Sequence, residues 1–301
     1  MFRLPGYHTC FSANLRLLPV PIRAFMFGTR SLKVLPCASR GAIRPSSTWS
    51  QYNRHYGRNK INWNALKKPA LFTASFCVVT TLATPYLMQI PPLSYFRLHP
   101  RVMVYAIIGM NVAGFLAWRS PVFSRYMTRY GLLMKDNIRS QWSLLGSAFS
   151  HQDPFHLMFN MLMLYSFGTS FATAVGASNF LAMYLNSAVI SSFVSVAIPT
   201  IMRTSMTVAS LGASGALFGV FGAFAYLAPK APVALFFLPV PGGAWVLFLG
   251  SIAINAAGIA LKWGRYDFGA HLGGCLAGAA YGWYFSKIRQ SRSRPQVFSR
   301  Y

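Results

Sequence analysis

From residue 70 to residue 286 the chain is a succession of apolar runs, each close to the roughly 20 residues that a helix needs to cross a bilayer. Backbone in lipid must satisfy its own hydrogen bonds, so runs of this kind fold as spanning helices. They predict helices over 70–90, 102–118, 155–173, 178–202, 211–228, 244–261 and 268–286, seven spans in all. The expected fold class is an all-α polytopic membrane protein. Two of the runs contain the small, polar stretches LGASG and AHLGG, which hydropathy alone scores weakly. Val233 to Gly243 is apolar but holds Pro239 and Pro241, and reads as a loop lying at the interface. The segment 119–154 is polar, rich in Trp, Tyr and Arg, and contains no full span.

Charge narrows the chemistry. Only 10% of the 301 residues are charged, against about 25% in an ordinary soluble domain. Lys and Arg total 28 and the acids total 3 (Asp136, Asp153 and Asp267), for a net charge of +25. Without Glu and with three scattered Asp, paired-carboxylate catalysis and acid-ligated metal sites have no residues to use. Cys10, Cys37, Cys77 and Cys275 form no C-x-x-C and indicate neither a disulfide scaffold nor a zinc ribbon. The basic residues sit in the N-terminal tail and between apolar runs, a topology signal that argues against nucleic-acid binding. Residues 1–60 are rich in Arg and Ser, free of acids, and include amphipathic pieces such as Phe11 to Leu18. That is the makeup of a mitochondrial presequence, the other reading being a disordered basic tail held against anionic lipid. The positive-inside bias then assigns the N-terminus and the 119–154 loop to the matrix face.

Polar groups able to act as nucleophile or base are rare in apolar spans, and three clusters stand out. Ser214 lies in SLGASGALFG, among Gly212, Gly215, Gly219 and Gly222. His271 lies in AHLGGCLAGAAYG, followed by Gly274, Gly278 and Gly282 at four-residue intervals. Glycine every fourth residue lets helices approach closely. Two such faces in contact would bring an imidazole to a hydroxyl, the arrangement that activates an alcohol nucleophile. The third cluster is FSHQDPFHLMFN, where His156 and Asn160 share a helix face with His151 just before it. Together with the backbone N–H of Ser214, His156 and Asn160 could form an oxyanion hole. His151, His156 and His271 could instead hold zinc, but acids are scarce and there is no H-x-x-x-H pair, so no metal and no cofactor are expected. Asp267, four residues before His271, reads as the cap of the last helix rather than the third member of a triad.

The combination GASG…AHLGGCLAG with upstream His151, His156 and Asn160 resembles the rhomboid family of intramembrane serine proteases, over roughly 95–287. The resemblance implies a six-helix core and cleavage of membrane-spanning segments by a Ser214–His271 dyad. It further implies oxyanion stabilisation by His156 and Asn160 and an amphiphilic loop after the first core span. Trp142 stands at the family's Trp-Arg pair, with Ser143 in place of the arginine. Phe218 stands where many members have a tyrosine against the histidine ring. An added span ahead of the core, behind a basic tail, resembles the mitochondrial subgroup. This implies the inner membrane and substrates such as a dynamin-like fusion GTPase or a cytochrome c peroxidase precursor. The expected layout is a tail (1–60), an added helix and linker (61–94), a protease core (95–287) and a basic C-terminal tail (288–301). Expected partners are transmembrane substrates and the lipid bilayer, with no nucleic acid. Two other readings are an inactive relative acting as a membrane adaptor and a small-solute carrier. The carrier would need internal repeats and mid-span charges, and the sequence has neither.

Overall fold

The computed structural model describes residues 61–203, 209–235, 238–264 and 266–293. The presequence reading and most of the C-terminal tail fall outside the described residues. Seven long helical segments dominate: α1 (Trp63–Leu87), α2 (Pro100–Ala117), α3 (Pro154–Met163, running through a π-helical turn, Leu164–Gly168, into Thr169–Val175), α4 (Ala177–Met202), α5 (Ser214–Leu227), α6 (Gly243–Ala260) and α7 (Phe268–Ser293). Of these, α1, α2, α4 and α6 are long and apolar enough by length and composition to cross a membrane. The other three depart from that description for local reasons. α3 is interrupted by its π turn, α5 has 14 residues, and α7 opens on the small, polar stretch around His271, Gly273 and Gly274, which lowers its hydropathy.

Helix ends follow the sequence closely. Pro100 and Pro154 occupy first-turn positions, where a missing N–H costs nothing. Asp153 caps α3 by accepting from the N–H of His156 at 2.7 Å. Helix α1 starts earlier than the apolar run suggested, because its N-cap is Asn62 and Pro69 is accommodated inside it.

α4 is the central post, buried over most of its length. Its serines meet the glycines of its neighbours: a Cβ on Gly219 would overlap Ser187, and one on Gly215 would overlap Ser191. α5 and α7 run parallel with main chain against main chain. A Cβ on Gly274 would overlap the carbonyl oxygen of Gly215, and one on Gly278 that of Gly219. Close backbone contact between small residues is how helices associate where no hydrophobic force drives them together.

α1 is held to this core by polar groups. Asn186 of α4 donates to Thr81 Oγ1 at 3.0 Å and to the hydroxyl of Tyr281 at 2.6 Å, while Thr80 Oγ1 donates to its Oδ1. The loop between α2 and α3 carries short helices (Pro121–Tyr126, Ser143–Gly146) and a strand, β1 (Leu133–Met134). β1 pairs antiparallel with β2 (Ala209–Ser210), just ahead of α5. Trp142 in this loop packs edge-on against Phe72 and Phe76 of α1, with ring centroids 5.3 and 6.4 Å apart. α1 thus anchors the loop at Trp142. The stretch read as an interfacial loop contains a two-stranded hairpin, β3 (Ala234–Leu235) with β4 (Leu238–Pro239). Gly242 and Gly243 follow at φ 86° and 75°.

Candidate active site

The start of α5 and the first turn of α7 lie at the same end of the bundle. Ser214 is the first residue of α5, and the segment leading to it is tied down at several points. Gly212 sits at φ 123°, a region that disfavours side chains, and a Cβ there would lie 2.6 Å from the His156 ring. Its N–H donates to the Ser147 carbonyl at 2.8 Å. The N–H of Ala213 donates to Nε2 of the fully buried His151 at 3.3 Å. Burial, reinforced by the nearby His156, holds the His151 imidazole down at a pKa of about 3, so at neutral pH it is a neutral acceptor.

Ser214 Oγ lies 2.8 Å from Nε2 of His271, and both residues are half-buried. Phe218, one turn along α5, lies against the imidazole with ring centroids 4.6 Å apart. Beneath the pair, Gly274 meets Gly215 and Gly278 meets Gly219. The His156 ring lies beside Gly212, two residues before Ser214, and 5.0 Å from the ring of His151. Asn160 is buried in α3, and its Nδ2 donates to the His156 carbonyl at 2.8 Å. The hydrogen bond that the structure gives Asn160 is thus to its own helix.

Two features escaped the sequence reading. Nδ1 of His271 lies 3.2 Å from Oδ1 of Asn255, a buried amide on α6. The signal that marked it was a lone amide in an apolar span at the depth of the histidine. The second concerns Asp267. Its Oδ1 accepts from the N–H of Ala270 at 3.0 Å, the capping geometry anticipated for it. Its Oδ2 lies 2.9 Å from Nζ of Lys135 and accepts from the hydroxyls of Ser195 and Ser210. Burial alone would raise this carboxyl; Lys135 and the hydroxyls outweigh it and bring it down to about 2. Asp267 therefore ties the α2–α3 loop, α4, β2 and the start of α7 into one knot.

A half-buried hydroxyl 2.8 Å from an imidazole nitrogen has the geometry for nucleophilic attack once that nitrogen is free to accept its proton. Among the described residues there is no cluster of three or more His, Cys, Asp or Glu that could hold a metal.

Residues 139–288 match the family model described as Rhomboid domain. The chain is 48% identical over 251 residues to Rhomboid protein 1, mitochondrial, of Saccharomyces cerevisiae, covering 82% of this chain and 72% of the yeast protein. It is 37% identical over 198 residues to Presenilin-associated rhomboid-like protein, mitochondrial, of Rattus norvegicus, covering 64% of this chain and 51% of that one. To RHOMBOID-like protein 12, mitochondrial, of Arabidopsis thaliana it is 33% identical over 215 residues, covering 65% of this chain and 61% of the plant protein. The chain therefore spans about half the length of the animal relative and under two thirds of the plant one.

Proposed function

The chain belongs to the rhomboid family, in its mitochondrial branch, and from that premise we propose that it is an intramembrane serine endopeptidase of the mitochondrial inner membrane. Its substrates are membrane-inserted segments of other proteins. α1 to α7 are read as seven spans, with 95–287 as the protease core and 61–94 as an added leading helix and linker. The observation that carries the reading is the 2.8 Å approach of Ser214 Oγ to His271 Nε2.

In the reaction, Ser214 Oγ attacks the scissile carbonyl carbon as its proton passes to His271 Nε2. Negative charge collects on the carbonyl oxygen. The N–H of Ser214 can meet it, because the first amides of a helix have no partner within it. His156 and the second N–H of the Asn160 amide complete the oxyanion site, each worth about 3–4 kcal/mol when well placed. The imidazolium then protonates the leaving amine, and an acyl-enzyme remains on Ser214. A water activated by the same imidazole hydrolyses it. Partial exposure of both residues supports this step, since hydrolysis needs water at depth.

The test is fluorophosphonate labelling and cleavage of a transmembrane reporter by purified protein. Ser214→Ala and His271→Ala should each abolish both while leaving the protein inserted and folded. Cleavage surviving in Ser214→Ala overturns the nucleophile; wild-type protein that neither labels nor cleaves favours an adaptor without catalysis.

A further inference from the structure

We propose that Asn255 is a positioning residue that fixes the tautomer and rotation of His271, so that the site works as a Ser214–His271–Asn255 relay; this rests on the protease reading above. A histidine can accept the serine proton at Nε2 only if its own proton sits on Nδ1, and the partner of Nδ1 decides which nitrogen carries it. The orientation of the Asn255 amide follows from its other contact. Its Nδ2 donates to the Ser251 carbonyl, one turn back on α6, at 2.7 Å. Oδ1 is thereby turned to His271 Nδ1 at 3.2 Å. An oxygen at that point can only accept, so Nδ1 carries the proton and Nε2 presents a lone pair to Ser214 Oγ at 2.8 Å. A flipped amide would give up the Ser251 contact and set an N–H against Nδ1. That favours the tautomer unable to act as base.

Among the described residues, nothing else at the site is placed to do this. Phe218 lies against the face of the ring and leaves the tautomer open. Asp267, the residue a Ser-His-Asp triad would use, is occupied by Lys135, Ser195, Ser210 and the N–H of Ala270. The charged or titratable groups that act on the imidazole are Asp267 ahead of α7, His156 from α3 and Lys135 from the α2–α3 loop. Asn255 is 3% exposed, so water does not compete for its Oδ1. A neutral amide also supplies the acceptor without burying a charge in lipid.

The experiment compares wild type, Ser214→Ala, Asn255→Ala and Asn255→Asp as purified full chains, measuring fluorophosphonate inactivation, and reporter kcat and KM between pH 5 and 9. A misassigned tautomer costs about ten-thousandfold where the acceptor is a carboxylate. With a neutral amide, Asn255→Ala should lose roughly ten- to a hundredfold in kcat, with KM and unfolding temperature nearly unchanged. Asn255→Asp keeps an acceptor and should regain most of the rate. Its carboxylate stabilises imidazolium, so the acid limb of its profile should move to higher pH. Asn255→Ala within twofold of wild type, or an unmoved acid limb in Asn255→Asp, overturns the proposal while Ser214-dependent labelling leaves the protease reading standing. Wild-type labelling that persists in Ser214→Ala overturns both. Should Asn255→Ala fail to fold, the acid limb of Asn255→Asp decides.

Discussion

Replacing Gly274 with alanine should disable the site without touching any group that takes part in the chemistry. A methyl group there would overlap the Gly215 carbonyl oxygen, with the carbonyl carbon at 3.0 Å and Phe218 Cβ at 3.1 Å, where ordinary contacts are 3.4–4 Å. Two of these neighbours are main chain and cannot rotate away, so α7 must withdraw from α5 by about 1 Å. Gly274 is less than one turn from His271, and the 2.8 Å contact to Ser214 would open toward 4 Å. Misplacement on that scale costs about a hundredfold in rate. The assay is reporter cleavage by purified variants, with Gly250→Ala as the control, because nothing lies within 4 Å of a Cβ at Gly250. Gly274→Ala turning over within threefold of Gly250→Ala would refute the claim that backbone contact sets the distance between serine and imidazole.

Asp267 sets an acid limit on stability. Its folded pKa lies below the ordinary carboxylate value, so its contribution is complete above about pH 4 and is lost as the pH falls toward about 2. Asp267→Ala takes the carboxylate away from the buried Lys135 and from the hydroxyls of Ser195 and Ser210, and should cost about 3–5 kcal/mol, read as a lower unfolding temperature at neutral pH that converges on wild type in acid. Parallel curves would count against it. Asn186→Leu removes the contacts to Thr80, Thr81 and Tyr281 and should destabilise the fold by roughly 1 kcal/mol, seen as earlier thermal unfolding and faster proteolysis ahead of α2. Unchanged proteolysis would mean that α1 is held by packing alone. For Trp142 and Phe72, a double-mutant cycle should give a coupling of about 0.5–1.5 kcal/mol; additive losses would remove the aromatic anchor.

What could be read in the sequence was whatever lies within one helix. The four-residue glycine interval is a property of a single face, so the contact surfaces of α5 and α7 were visible before their partners were known. The Asp153 and Asp267 caps are equally local. The rest depended on neighbours distant in the chain. Asn255 has no spacing relation to His271, and only the return of α6 beside α7 brings the two within 3.2 Å. The partners of Trp142 lie on α1, on the far side of α2 in sequence, and no periodicity couples them. Asp267 read correctly as a cap, while its second oxygen went unassigned because Lys135, Ser195 and Ser210 converge on it from three separate elements. α1 begins before the apolar run because the long basic side chains of Lys67 and Lys68 near its start can lay their stems along the helix and reach toward the headgroups.

Between Gly215 and Gly274, and again between Gly219 and Gly278, no side chain intervenes, so there is no rotamer through which strain could leak away. A bilayer is an unsteady host whose thickness and lateral pressure change with its lipids. Two helices locked peptide to peptide respond to such changes by tilting as one body. Ser214 and His271 would travel together, and a membrane of altered composition would reorient the pair long before it separated them.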